Sequence, residues 1–87
     1  MALEARIAVI RDVDVLTARK TIRELARRLG FAESDAVLLA TAISEIARNI
    51  LTYATRGEIT FEVTKDGKRQ AIVAVARDQG PGIADIE

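Results

Sequence analysis

Ser44-Glu45-Ile46-Ala47-Arg48-Asn49-Ile50 lies in the middle of the longest helical pattern of the chain, and the remaining sequence is organised around it. On a helical wheel of about 100° per residue, Asn49 falls about 40° from Glu45, on the same face and one turn further along. Ile43, Ile46, Ile50 and Ala54, with Ala36 and Leu39, gather on the opposite or flanking side. Leu38, two turns before Glu45, is the one large apolar residue aligned with it. One side of this helix is therefore built to be buried, while a carboxylate and a carboxamide stack on the other. A carboxylate can take a proton from water or a hydroxyl, and a carboxamide oxygen can hold a hard cation. Taken alone, the same pair also describes the solvated surface of any helix.

Working outward, the pattern predicts a helix from Asp35 to Tyr53 or Ala54, with Ser34 or Ala32 near its cap. Glu33 and Asp35 suit its positive end. Residues 31–34 form a short connection from an earlier helix over 15–29. There Val15, Ala18, Ile22, Leu25, Ala26 and Leu29 follow a helical period. Arg19, Lys20, Arg23, Arg27 and Arg28 fall outside that stripe, as solvated surface or as a docking face for an acidic partner. Gly30 suits a left-handed stop, and Asp12 or Asp14 suits the start. Residues 5–11 alternate loosely and read as a short strand.

On the other side Arg56-Gly57 ends the central helix, and residues 58–64 alternate strictly, with Ile59, Phe61 and Val63 on one face. Asp66-Gly67, within 65–68, is a hairpin signal, and residues 70–76 return as a more apolar strand, which suggests a central place in the sheet. The expected fold is α/β: one domain over 1–87, a two-layer sandwich with helices on one face of a largely antiparallel sheet.

Composition narrows the function. Hydrophobic residues at 49% and charged residues at 30% fit a compact protein rather than a disordered one. Thirteen basic and 13 acidic residues balance, so no global field attracts nucleic acid. Phe31, Tyr53 and Phe61 are too few for a base-stacking platform. With no Cys and no His, disulfides, thiolate metal sites and the commonest general base are all excluded. No apolar run approaches the roughly 20 residues of a membrane span, and residues 1–12 lack a signal-peptide layout. The cytoplasm is the simplest address.

Asp78 arrives as the last strand ends, and Gln79-Gly80-Pro81-Gly82 follows. Coming after Val73 and Val75, the strand is expected to deliver a buried carboxylate to the sheet end, able to accept from an exocyclic amine such as that of adenine. Gly80 and Gly82 leave room against bare backbone, and Pro81 stiffens the turn between them. The alternative is a tight surface turn that begins with an aspartate. A helical ExxxN followed by a DxGxG after a hairpin is far more specific than either motif alone.

In that order, Glu45-x-x-x-Asn49 resembles the N-box, and Asp78-x-Gly80-x-Gly82 the first glycine box, of the GHKL (Bergerat-fold) ATPases and kinases. The run from Ala40 through Ile50, then Tyr53-Ala54, resembles more closely the switch serine/threonine kinases of bacterial anti-sigma-factor type. Ala18-Arg19 and Leu29-Gly30-Phe31 are similar to that group's first helix and its exit. The resemblance implies that Glu45 orients or deprotonates the attacking hydroxyl and that Asn49 ligates the Mg²⁺ bridging the phosphates of ATP. It implies that Asp78 accepts the adenine amino group, with Gly80 and Gly82 letting the loop approach the base. Arg48 faces phosphate, a protein partner or plain solvent, and Tyr53 stands where many members of the superfamily carry a small polar or aromatic residue near the pocket, with packing in the core as the simpler reading.

The resemblance further implies STAS-domain antagonist or scaffold proteins as substrates in stressosome signalling, with a PP2C-type phosphatase as the alternate partner. The group's lid and second glycine-rich box have no counterpart here, and residues 84–87 read as the start of another helix, so the chain reads as a fragment. Alone it is expected to bind ATP poorly and to be completed by a partner or a second copy through an exposed sheet edge. Two other readings stay open: a docking module that keeps only the shape, and the ATP-binding part of a histidine kinase.

Overall fold

The strict alternation after Gly57 is realised as a strand, β2 (Gly57–Asp66), paired on both sides. In the computed structural model, which describes residues 2–78, β1 (Ala2–Val9) and β3 (Arg69–Asp78) flank it antiparallel, in the order β1-β2-β3. Two helices, α1 (Asp12–Arg28) and α2 (Glu33–Tyr53), connect β1 to β2. The two-layer α/β architecture is the expected one.

Directly paired residues share a face of an antiparallel sheet. Ile7 pairs with Ile59 and Ala5 with Phe61; on the other side Ala76 pairs with Ile59 and Ala74 with Phe61. The helices cover this face, and Val9, Ile59 and Phe61 are fully buried beneath them. β1 carries a register shift between Leu3 and Ala5, so its alternation is imperfect. The more apolar β3 is at the edge of the described sheet, and β2 holds the centre. Val73 and Val75 pair with Glu62 and Thr60 on the face away from the helices, where neighbouring strands alone half-bury them. An apolar strand need not be a central one.

α1 begins three residues earlier than the apolar period alone indicates. Asp14 Oδ2 accepts the backbone N–H of Ile10 and of Arg11, each at 2.9 Å, and so anchors the first turn. Those two backbone donors hold its carboxyl below the usual range. At the other end Gly30 takes φ 86°, its N–H reaches the Arg27 oxygen, and the Phe31 N–H reaches that of Ala26. This pair of bonds is the Schellman arrangement that a left-handed glycine permits.

α1 buries Val15, Ala18, Ile22, Leu25 and Ala26, while α2 buries Ala36, Ala40, Ile43, Ser44, Ala47 and Ile50. Alanines on both faces let the two backbones approach closely. Ser44 is the one buried polar side chain among the described residues, and its hydroxyl donates to the Ala40 carbonyl at 2.8 Å. Tyr53 is not core: it is 72% exposed, and Ile46 is also exposed. The α2 exit leaves Thr55 at φ 72°, a left-handed conformation that costs a β-branched residue free energy.

The start of α2 has no side-chain cap. Glu33 instead reaches back to α1, accepting from Arg27 at 2.9 and 2.8 Å and from Arg23 at 3.0 Å. The bonds from Arg27, then from Arg23, lower the Glu33 carboxyl from 4.5 to about 2. A depressed carboxylate contributes stability that is full above its unfolded value and is lost as pH falls through the folded one. The clamp is solvent-exposed, so its contribution is small. Thermal unfolding of the chain and of Glu33→Gln should therefore differ near neutral pH, with Gln lower, and converge between about pH 4.5 and 2. A gap that persists at the acid end would mean that the clamp acts through packing rather than charge.

Candidate functional site

Two alanines make the most informative opening in the molecule. On the helix side of β3 the residues are Ile72, Ala74, Ala76 and Asp78, the last paired with Gly57. Ala74 and Ala76 are too short to reach α2 and remain exposed. α2 packs against β1 and β2 instead, which leaves a cleft between its last turns and the end of β3. The cleft holds about 240 Å³ and is lined by Ile46, Asn49, Ile50, Tyr53, Ala76 and Asp78.

The four residues from α2 follow i, i+3, i+4 and i+7, one continuous helix face. Ile46, Ile50, the Tyr53 ring and Ala76 give apolar walls, while Asn49 and Asp78 supply a carboxamide and a carboxylate. An apolar slot with a carboxylate at one end suits a flat ring bearing an amine, and the carboxamide adds one hard oxygen donor. Asn49 and Asp78, from a helix and a strand that β2 separates in the chain, are thus brought together. Asp78 is on the helix side with Ala76, not on the side of Val73 and Val75, and it is exposed rather than buried. Strand parity sets the face, because residues two apart share one, and the packing of α2 on β1 and β2 leaves that face of β3 uncovered.

Glu45 is exposed one turn before Asn49 and does not line the cleft. Arg48 is separated from it. Its side of α2 faces α1, where a second opening of about 370 Å³ is lined by Asp12, Val15, Leu16, Arg48, Leu51 and Thr52. Arg48 is about 100° around the helix from Asn49, enough to put the two in different clefts. Gly80 and Gly82 lie outside the described residues. No group of three or more His, Cys, Asp or Glu converges among the described residues. A divalent ion at Asn49 would therefore draw most of its ligands from a bound molecule, as Mg²⁺ commonly does with phosphates. The Asn49 donor fits that role.

Of the cleft walls, Ile46 is the residue that the sequence pattern misplaces, on the buried side, while Tyr53 takes the place near the pocket rather than the one in the core. Their signal is the i, i+3, i+4, i+7 spacing that they share with Asn49 and Ile50. No helix among the described residues is long and apolar enough to cross a membrane.

Comparison with known proteins shows what the chain is similar to. The chain is 41% identical over 80 residues to serine/threonine-protein kinase RsbT of Bacillus subtilis (strain 168). The match takes in 92% of this chain and 60% of that protein, so the chain spans less than two thirds of that relative's length. No solved structure matches the chain. A family model described as the histidine kinase-like ATPase domain matches residues 10–87, which include both α2 and β3. The resemblance to this kind of ATPase holds at the level of the family, and the chain belongs to the histidine kinase-like ATPase domain family.

Proposed function

We propose that this chain is the nucleotide-binding part of an ATP-dependent serine/threonine protein kinase of the partner-switching type. Its acceptor would be a STAS-domain regulatory protein in bacterial stress signalling, in the cytoplasm, with a PP2C-type phosphatase as alternate partner. The observation that carries the reading is the convergence of Asn49 and Asp78 on one cleft, in a chain similar to a serine/threonine-protein kinase.

In this reading the adenine ring enters between Tyr53, Ile46 and Ala76, and its exocyclic amine donates to Asp78. The phosphates run along α2 toward its N-terminal half. Asn49 would ligate Mg²⁺, which supplies charge neutralisation to the phosphates. Glu45 is one turn beyond Asn49, roughly 6 Å along the helix axis, outside the ring's slot and accessible to a protein acceptor. It orients the acceptor hydroxyl and takes its proton as the oxygen bonds to the γ-phosphorus. The bond to the β–γ bridging oxygen breaks, and ADP leaves. Placement and charge supply most of the catalysis in such a transfer. Arg48, on the α1 side, is left for protein contacts rather than nucleotide.

Two substitutions separate these roles, best made in the full-length protein. Glu45→Ala should abolish phosphoryl transfer to the acceptor while Mg·ATP binding, measured by calorimetry, is retained. Asp78→Asn should weaken nucleotide binding by about 1–3 kcal/mol, the cost of losing a charged acceptor. Unchanged ATP affinity in Asp78→Asn would refute the adenine assignment. The product should be an acid-stable phosphoester; an acid-labile phosphoramidate on the acceptor would instead indicate histidine kinase chemistry.

A further inference from the structure

Three glycines among the described residues fall into two kinds. Gly30 and Gly67 have positive φ, 86° and 65°, and a Cβ on either would meet nothing within 4 Å. They serve backbone conformation. Gly57 is the reverse: its φ lies outside the left-handed region, yet a Cβ there would overlap the Arg77 carbonyl oxygen and lie 2.9 Å from Ile50 Cγ2. Its missing methyl is a matter of space, not of turning.

The two groups that close over Gly57 belong to the two walls of the cleft. Ile50 is buried and adjoins Asn49 on α2, and both line the opening with Tyr53. Arg77 immediately precedes Asp78, which pairs with Gly57 itself. The obstruction at Arg77 is backbone, so no side-chain rotation relieves it, and an added methyl must displace the end of β3, α2, or both. We infer that Gly57 is a positioning residue that sets the spacing between Asp78 and the α2 wall, and through it the preference for adenine over a ring without the amine. The inference rests on the nucleotide-binding reading above.

A merely structural role is the competing explanation, because Gly57 also pairs with Val9 and is buried. The experiment therefore reads base preference and stability together. Mg·ADP and Mg·IDP are titrated calorimetrically into the full-length protein, into Gly57→Ala, and into Ile22→Val, a core change in α1 outside the cleft lining. IDP presents a carbonyl where ADP presents the amine. The wild-type chain should prefer ADP, and Gly57→Ala should lose roughly tenfold of that preference, in keeping with a misplaced charged acceptor. IDP affinity should be little changed. Ile22→Val should melt earlier yet keep the preference.

A Gly57→Ala chain that melts earlier but discriminates as well as wild type would overturn the inference. If Gly57→Ala does not fold, the same comparison is made between Ile50→Ala and Ile50→Ala/Gly57→Ala, where the helix side of the clash is removed. An equal ADP-to-IDP ratio in that pair overturns the inference, and a reduced one supports it. A wild-type chain that binds both nucleotides equally would instead sink the adenine reading at Asp78, a distinct outcome that takes this inference with it.

Discussion

The packing of the helix pair on Ile59 and Phe61 is the contact on which the rest depends. Both side chains are fully buried at the centre of the sheet, each contributing about 1.5–3 kcal/mol by leaving water. They hold α1 and α2 over β1 and β2, where Ile7, Val9 and the small residues of α2 complete the layer. The helix face of β3 offers only Ala74, Ala76 and Asp78 beyond Ile72, so the layer stops short of it. An incompletely covered strand is usually a liability. Here it becomes the floor of the cleft in which a helix carboxamide and a strand carboxylate meet.

The same packing sorts the polar residues of α2 by rotation. Ala36, Ala40, Ile43, Ala47 and Ile50 fix the buried stripe. Asn49 and Tyr53 then fall toward β3, Arg48 and Thr52 toward α1, and Glu45 toward solvent. Residues adjacent in sequence therefore enter different chemistry: Asn49 faces the cleft, and Arg48 turns away from it. Ionic contacts at the helix ends, such as the Glu33 clamp and the Asp14 anchor, set where the helices begin rather than what they bind. Their exposure keeps them secondary to the apolar core.

Much of this architecture is legible in the sequence. The helical period of Val15, Ala18, Ile22 and Leu25, and the alternation through Ile59, Phe61 and Val63, predict the elements because burial on one face demands those spacings. Gly30 and Gly67 are readable as turn positions for an equally local reason. Strand order is not readable, because β3 owes its valines to the uncovered face rather than to a central place. Nor is the placement of Tyr53, whose aromatic ring fits a core as well as a cleft wall until the neighbouring strand is in view. Gly57 has the look of a helix terminator; its role depends on Ile50 and Arg77, which meet it only in three dimensions.

The most direct measurement is two-dimensional amide NMR of the labelled full-length protein, titrated with Mg·ADP. Shifts concentrated at Asn49, Tyr53, Ala76 and Asp78, with Leu16, Arg48, Leu51 and Thr52 unmoved, are expected if nucleotide occupies the α2–β3 cleft. Shifts confined to the α1–α2 opening around Arg48, with Asp78 unmoved, would contradict it.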